Sequence, residues 1–451
     1  KIYEGDNMKN KIISAVEKNR EIILEAQNYI WANPETGYKE KKTSKYLEGK
    51  FEDLGYSLIK ADDITGFYTV LDTGRPGPEV LVLGELDALL CPEHPDADSA
   101  TGAAHCCGHS AQCAALLGIA AALKESDILN CLSGRIRLCA VPAEELIELE
   151  YRTELKNKGK IHYMTGKQEF LYRGYFDGVD MGLMVHTSQA EIFVATGGAV
   201  GCTAKRVVYK GASAHAGGNP WDGCNALYAA TLGLSAINSI RETFKESDII
   251  RVHPIITQGG GAVNAIPDRV TLESFVRGSS FEAINNANER VNRALCGAAL
   301  SLGANVDIED THGYGPLRND KGMTEIARDA AEVLELPFAE SDEIGSGSTD
   351  MGDLSCIMPV VHPYAPGAAG ISHGKSYKIV DSELACVASA KWQLCMLMLL
   401  LQDGADRAKQ IISEFKPIFN SKGEYFGYLS KISCSGDRIA YTDGMAEVKL
   451  K

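Results

Sequence analysis

Val80-Leu81-Val82-Leu83-Gly84-Glu85-Leu86-Asp87 is the stretch from which the fold can be worked out. Four consecutive large apolar residues leave no wet face, so Val80 to Leu83 predicts a strand buried on both sides, with Glu85, Leu86 and Asp87 delivered at its C-terminal end. Upstream, Phe67 to Leu71 predicts a second strand, separated from the first by Gly74-Arg75-Pro76-Gly77-Pro78. Downstream, after a loop rich in Pro, Asp and Gly, the Ala/Leu-rich segment from His109 to Lys124 predicts a buried helix, and Arg135 to Val141 the next strand. Strand, loop, helix, strand is the pattern of an α/β domain whose sheet is flanked by helices. In such sheets functional groups gather beyond the C-terminal ends of the strands, where Asp87, Glu144, Glu145 and His186 all stand.

Around this centre, residues 11–54 are helix-like, with a break at Asn33-Pro34. Residues 200–311 form a separate pattern. Val200 to Tyr209, Ile249 to Gln258, Arg269 to Arg277 and Asn305 to Asp310 predict strands, and Asn225 to Phe244 and Phe281 to Leu302 predict helices. That order, βαββαβ, matches a ferredoxin-like unit inserted into a larger domain. The expected division is a first domain of residues 1–199 and 312–451 and a second of residues 200–311. The tail from about Asp403 is expected to hold one amphipathic helix and a hairpin around Ser435-Gly436-Asp437.

A length of 451 residues with 45% hydrophobic composition is enough for two cores. The formal charge of −15, without any Lys/Arg-rich block, argues against nucleic-acid or anionic-membrane partners. Thirteen cysteines, an odd number scattered through apolar stretches, fit a reducing compartment better than a disulfide framework. Lys1-Ile2-Tyr3-Glu4 opens without an apolar run, and the expectation is a cytoplasmic protein. Cys395 to Leu401 is far shorter than the roughly 20 apolar residues of a spanning helix and predicts a buried one.

The chemistry lies in short motifs. Cys107 and His109 flank Gly108, whose backbone freedom lets a thiolate and an imidazole converge on the same or adjacent cations. Glu144 and Glu145 follow Pro142-Ala143 at a strand end, where one carboxylate can bind metal and the other move a proton; we assign Glu145 as ligand and Glu144 as base. His186 follows a strand and His373 lies in a Gly-rich loop. Cys107, His109, Glu145, His186 and His373 together make a sufficient set for two divalent ions with one ligand bridging.

These and further pieces resemble, in order, the aminoacylase and carboxypeptidase metallopeptidases, and within them the amidohydrolase branch that includes aminobenzoyl-glutamate and auxin-conjugate hydrolases. The matching segments are Gly84-Glu85-Leu86-Asp87-Ala88-Leu89, His105-Cys106-Cys107-Gly108-His109, Pro142-Ala143-Glu144-Glu145, Gly211-Ala212-Ser213-Ala214-His215-Ala216, Asn264-Ala265-Ile266-Pro267-Asp268, Val276-Arg277-Gly278 and Gly347-Ser348-Thr349-Asp350. The resemblance implies that Cys107 bridges the two ions and that Glu144 is the general base. It implies that Asp87 orients a metal-bound imidazole. It makes the inserted unit a lid and homodimerisation domain, whose His215 reaches the partner's site to steady the oxyanion. Asn264, Arg277 and the backbone of Gly370 become clamps for a substrate carboxylate.

The chain departs from that pattern at Ser110, where relatives usually carry Asp or Asn. It departs again at Leu146 to Phe170, a longer charged and aromatic loop, and in the tail beyond residue 403. The expected activity is cleavage of the amide of an N-acyl, N-aroyl or aminoacyl amino acid with a free carboxylate. Zinc is the default metal for Cys/His/Glu ligands, with manganese, cobalt or nickel as alternatives. The rivals are a dipeptidase of the same family and a non-catalytic binding protein on the same fold.

Overall fold

The computed structural model describes residues 2–125 and 127–450; Lys1, Ser126 and Lys451 lie outside it. The chain separates into two units, one of Lys1–Gly198, Arg318–Glu343 and Thr349–Ile418, the other of Ala199–Leu317, Ile344–Ser348 and Phe419–Lys451.

In the first unit Glu79–Glu85 is buried along its whole length. It runs inside a six-stranded sheet, parallel to Arg135–Val141 on one side and Met181–Leu183 on the other. Phe67–Asp72 lies antiparallel to Arg135–Val141, which makes the sheet mixed. The helix His109–Glu125 packs against it closely, for a Cβ at Gly84 would stand only 3.2 Å from Leu116. Ser389–Leu401, extended upstream by a π-helical turn at Glu383–Ala388, completes the core. Together these form the one helix among the described residues that is long and apolar enough to cross a membrane, and 83% of it is buried inside the protein. The Leu146 to Phe170 segment is not the loop expected from its charge. It folds into the helices Leu149–Asn157 and Gly166–Tyr172, where the buried Arg152, Lys167 and Glu169 find polar partners in Met164 O, Glu85 and the His162 N–H.

The second unit has the expected βαββαβ order. Its antiparallel sheet places Gly201–Lys210 between Arg269–Gly278 and Asn305–Tyr314. Ala226–Ile240 and Phe281–Ser301 pack with it around a shared core. The predicted single strand at 249–258 is two, Arg251–Val252 and Ile255–Gln258, interrupted at Pro254, which has no N–H for the ladder.

The tail departs from the sequence-based division. Residues 419–450 belong to the second unit and not the first, because Phe419, Tyr425 and Tyr428 form an aromatic cluster with Phe281 and His312. Ser435-Gly436-Asp437 is no hairpin. This segment runs along the edge strand Asn305–Tyr314, where Gly436 O accepts the Ile308 N–H at 3.2 Å and Cys434 O the Asp310 N–H at 2.8 Å. The hairpin joins Ile439–Thr442 to Met445–Val448 through Asp443-Gly444, both at positive φ.

Candidate metal centre

Three chain ends meet beyond the sheet of the first unit: the exit from Glu79–Glu85, the entry to helix His109–Glu125, and the exit from Arg135–Val141. Gly108 permits the second of these. Its φ is +106°, and a Cβ there would collide with Thr187 Oγ1 and come within 2.5 Å of the Tyr377 hydroxyl. The third is bent by Ala143, held at φ +54° while its N–H donates to Glu40 Oε1 at 2.8 Å. That left-handed residue aims Glu144 and Glu145 inward, both almost fully buried. His373 arrives on a separate loop with φ +62°, its N–H donating to Cys106 O at 2.8 Å.

Cys107 stands at the centre of two ligand sets. Its sulfur groups with His109 and His186 on one side and with Glu145 and His373 on the other, the atoms of each set lying within 4.8 Å of one another. The Cys107 Sγ to His186 Nε2 distance is 3.3 Å, and His373 Nε2 is 3.3 Å from Glu145 Oε1. The imidazoles are turned for ligation. Nδ1 of His186 donates to Thr187 O at 2.7 Å and Nδ1 of His109 to Asp87 O at 2.9 Å. A carbonyl can only accept, so both rings carry a proton on Nδ1 and turn Nε2 inward. Burial, then the neighbouring His109 and His362, draws His186 down to about 3 and keeps it neutral.

The residues fit a metal pair. His109 Nε2, Glu145 Oε1 and Glu85 Oε2 are buried without any hydrogen bond, an unfavourable state for polar atoms that a cation would relieve. Thiolate, imidazole and carboxylate are a ligand mixture suited to zinc and other borderline divalent ions.

Glu144 is different in kind. Its Oε2 is 4.0 Å from His109 Nε2. Burial, and then the charges of Glu85, Glu145 and Asp350 against the attraction of Lys167, raises its carboxyl well above the usual range. A buried carboxyl beside the ligands and outside both Cys107 sets is placed to take and return a proton.

Asp87, expected beside a metal-bound imidazole, lies with Oδ1 3.3 Å from His109 Nδ1. Ser110, where the pattern departs, is buried with its hydroxyl unbonded, so Asp87 supports the ring without it. Gly370 has φ +88° and is exposed on the loop that carries His373.

The other expected residues lie in the second unit. His215 and Asn264 occupy adjoining loops, where Ala216 N–H donates to Asn264 O at 3.0 Å. Both are exposed. Backbone N–H groups of Gly217 and Gly218 donate to His215 Nδ1 at 3.1 and 2.9 Å, so the neutral ring carries its proton on Nε2, free to donate. Arg277 donates to Ser348 Oγ at 2.7 Å and lies over the Phe275 ring.

The sequence-based reading missed the wall behind the ligands. Glu85, Lys167 and Asp350 are buried there, with Lys167 Nζ bonded to both carboxylates. Burial pushes Asp350 up to about 7, against the pull of Lys167. Lys167 lies in the polar run Lys167-Gln168-Glu169 between Gly166 and Phe170, which carries no signal of burial.

Residues 81–391 match the model of peptidase family M20/M25/M40. The chain is 27% identical over 386 residues to the Xaa-Arg dipeptidase of Mus musculus, covering 83% of each chain. It is 30% identical over 340 residues to the N-acetyl-L-cysteine deacetylase of Bacillus subtilis, covering 72% of this chain and 74% of that one. Among solved structures, a Bacillus subtilis dinuclear metal binding peptidase of the M20 family has a TM-score of 0.63 at 20% identity, over 84% of this chain and 97% of that one.

Proposed function

The chain belongs to peptidase family M20/M25/M40 and is a metal-dependent hydrolase, and on that premise we propose that it cleaves the amide of N-acyl or N-aroyl amino acids with a free carboxylate. The observation that supports this reading is the shared position of Cys107 between two ligand sets, with Glu144 beside them and outside both. Cys107, His109, Glu145, His186 and His373 would hold two divalent ions, zinc before manganese, cobalt or nickel because a thiolate is among the donors. When bound, such ions polarise the carbonyl under attack and make water more acidic.

Within that reading each residue has a defined task. Glu144 takes the proton of the attacking water and returns it to the leaving amine. Asp87 fixes the His109 ring and, through the Glu145 backbone, the ligand loop. His215 of a neighbouring subunit donates from Nε2 to the oxyanion. Arg277 and Asn264, with the Gly370 N–H, receive the substrate carboxylate. A homodimer through the second unit is supported by its exposed apolar surface at Trp221, Tyr228, Leu232 and Ile255. Thirteen cysteines, none in a disulfide among the described residues, support a reducing, cytoplasmic setting.

A second reading, a dipeptidase, is favoured by the breadth of the match to the mouse Xaa-Arg dipeptidase. Hydrolysis of N-acetyl, N-aroyl and aminoacyl amino acids by the metal-reconstituted protein separates the two. Higher kcat/KM on acyl substrates supports the proposal. Turnover confined to dipeptides replaces it, and no turnover on any of them overturns both.

A further inference from the structure

Glu85 leaves the central strand with its two carboxylate oxygens buried and committed in opposite directions. Oε1 is paired with the Lys167 ammonium. Oε2 lies 3.2 Å from Nε2 of His109, and neither of those atoms has a hydrogen-bond partner. Glu85, His109 and Glu144 form a third set whose ligand atoms lie within 4.8 Å of one another.

The facing pair is informative. Nδ1 of His109 donates to Asp87 O, so Nε2 is the ring atom turned toward Glu85 Oε2. Those two buried atoms need positive charge between them, a proton on Nε2 or a cation in its place. Glu85 cannot turn away, because Lys167 holds its other oxygen. Lys167 is fixed in turn by Asp350, which takes its ammonium on Oδ1 and its backbone N–H on Oδ2 at 2.9 Å. A carboxylate immobilised in this way, with one oxygen aimed at a metal-ligating nitrogen, has the form of a ligand.

We propose that Glu85 is a further carboxylate of the metal centre, offering Oε2 to the cation on the His109 side, and that Lys167 is its fixed counter-charge. The inference rests on the dinuclear reading above. It makes the two positions unequal. The cation among Cys107, His109 and His186 gains an anionic oxygen, and the one among Cys107, Glu145 and His373 does not. Lys167, shared between Glu85 and Asp350, offsets part of the negative charge that Glu85 brings to the buried wall.

The test is metal binding, with zinc chloride titrated into demetallated protein and the bound ion counted after dialysis. Wild type is expected to bind two zinc ions per subunit. Glu85→Gln is expected to keep one step unchanged and to weaken the other about 10- to 100-fold, the loss typical when support at a metal site is removed. Because Glu85→Gln leaves the buried Lys167 ammonium to Asp350 alone and can fail to fold, Glu85→Gln/Lys167→Met removes one charge of each sign, and the same selective weakening is expected in it. Two unchanged steps in either folded variant overturn the inference and leave the dinuclear reading standing. Wild type that binds no zinc, or Cys107→Ala that binds two as tightly as wild type, overturns the dinuclear reading itself.

Discussion

Asp87 grips the Glu145 backbone: its Oδ2 accepts the Glu145 N–H at 2.9 Å while Oδ1 lies 3.3 Å from His109 Nδ1. One carboxylate therefore sets the relative position of two ligands on different chain ends. Asp87→Asn keeps the size but weakens both contacts. It is expected to lower metal affinity or kcat about 10- to 100-fold. Zinc titration alongside steady-state kinetics checks this, and unchanged affinity with unchanged kcat refutes it.

Glu144 is placed to move a proton and lies outside both Cys107 ligand sets. Glu144→Gln is expected to lower kcat by about 10²- to 10⁴-fold, the usual contribution of a general base, with the metal content retained. Near-normal turnover would remove Glu144 from the role of base.

Gly108 is needed on two counts, its positive φ and the absence of space for a Cβ beside Thr187 and Tyr377. Gly108→Ala is expected to cost roughly 1–3 kcal/mol and to loosen the Cys107–His109 geometry. The Gly108→Ala/Thr187→Ala double variant relieves one collision but leaves the φ penalty and Tyr377, so urea unfolding should show partial and not full recovery.

The two short motifs were legible because their spacing is local: a Gly between Cys107 and His109, and adjacent carboxylates at a strand end. The fold followed from the apolar continuity of Val80 to Leu83, which a strand with one wet face would not show. The wall behind the ligands was not legible. Lys167 meets Glu85 and Asp350 across 82 and 183 residues of chain, and a Lys in a charged stretch gives no sign that it is buried. The tail was misplaced for a similar reason. Ser435-Gly436-Asp437 has turn chemistry, but the edge of Asn305–Tyr314 offered open backbone groups and captured it. The Asp443-Gly444 pair, the stronger hairpin signal, marked the true turn.

The tautomer of His215 gives a test of subunit exchange. Its Nδ1 is occupied by the Gly217 and Gly218 N–H groups, so only Nε2 can donate to substrate. His215→Ala is expected to lower kcat by about 10²- to 10³-fold, the scale of losing one oxyanion donor. Mixed with Cys107→Ala, which keeps His215 but loses the metal centre, it should recover part of the activity through heterodimers. Absence of recovery after verified subunit exchange argues that each subunit uses its own residues.

The second unit has a buried charge pair of its own, which makes its stability depend on pH. Lys205 Nζ pairs with Asp310, and Asn292 and Asn288 donate to Asp310 Oδ2 at 2.9 and 2.8 Å. Burial pushes the Asp310 carboxyl up, but the Lys205 charge and these amides outweigh it, and the group lies below its usual range. Burial also draws Lys205 down against the attraction of Asp310, so the ammonium is the costly member of the pair and the carboxylate the stabilised one. A carboxyl depressed by folding contributes stability that is fully present above its unfolded value near pH 4, and that is lost as the pH falls through the lower folded value. Asp310→Asn leaves the ammonium buried without a counter-charge and is expected to cost about 3–5 kcal/mol near neutrality. Asp310→Asn/Lys205→Met should recover much of that loss and flatten the acid dependence of the urea midpoint below about pH 5. A double variant with the same acid slope as wild type would show that other carboxylates carry the pH dependence.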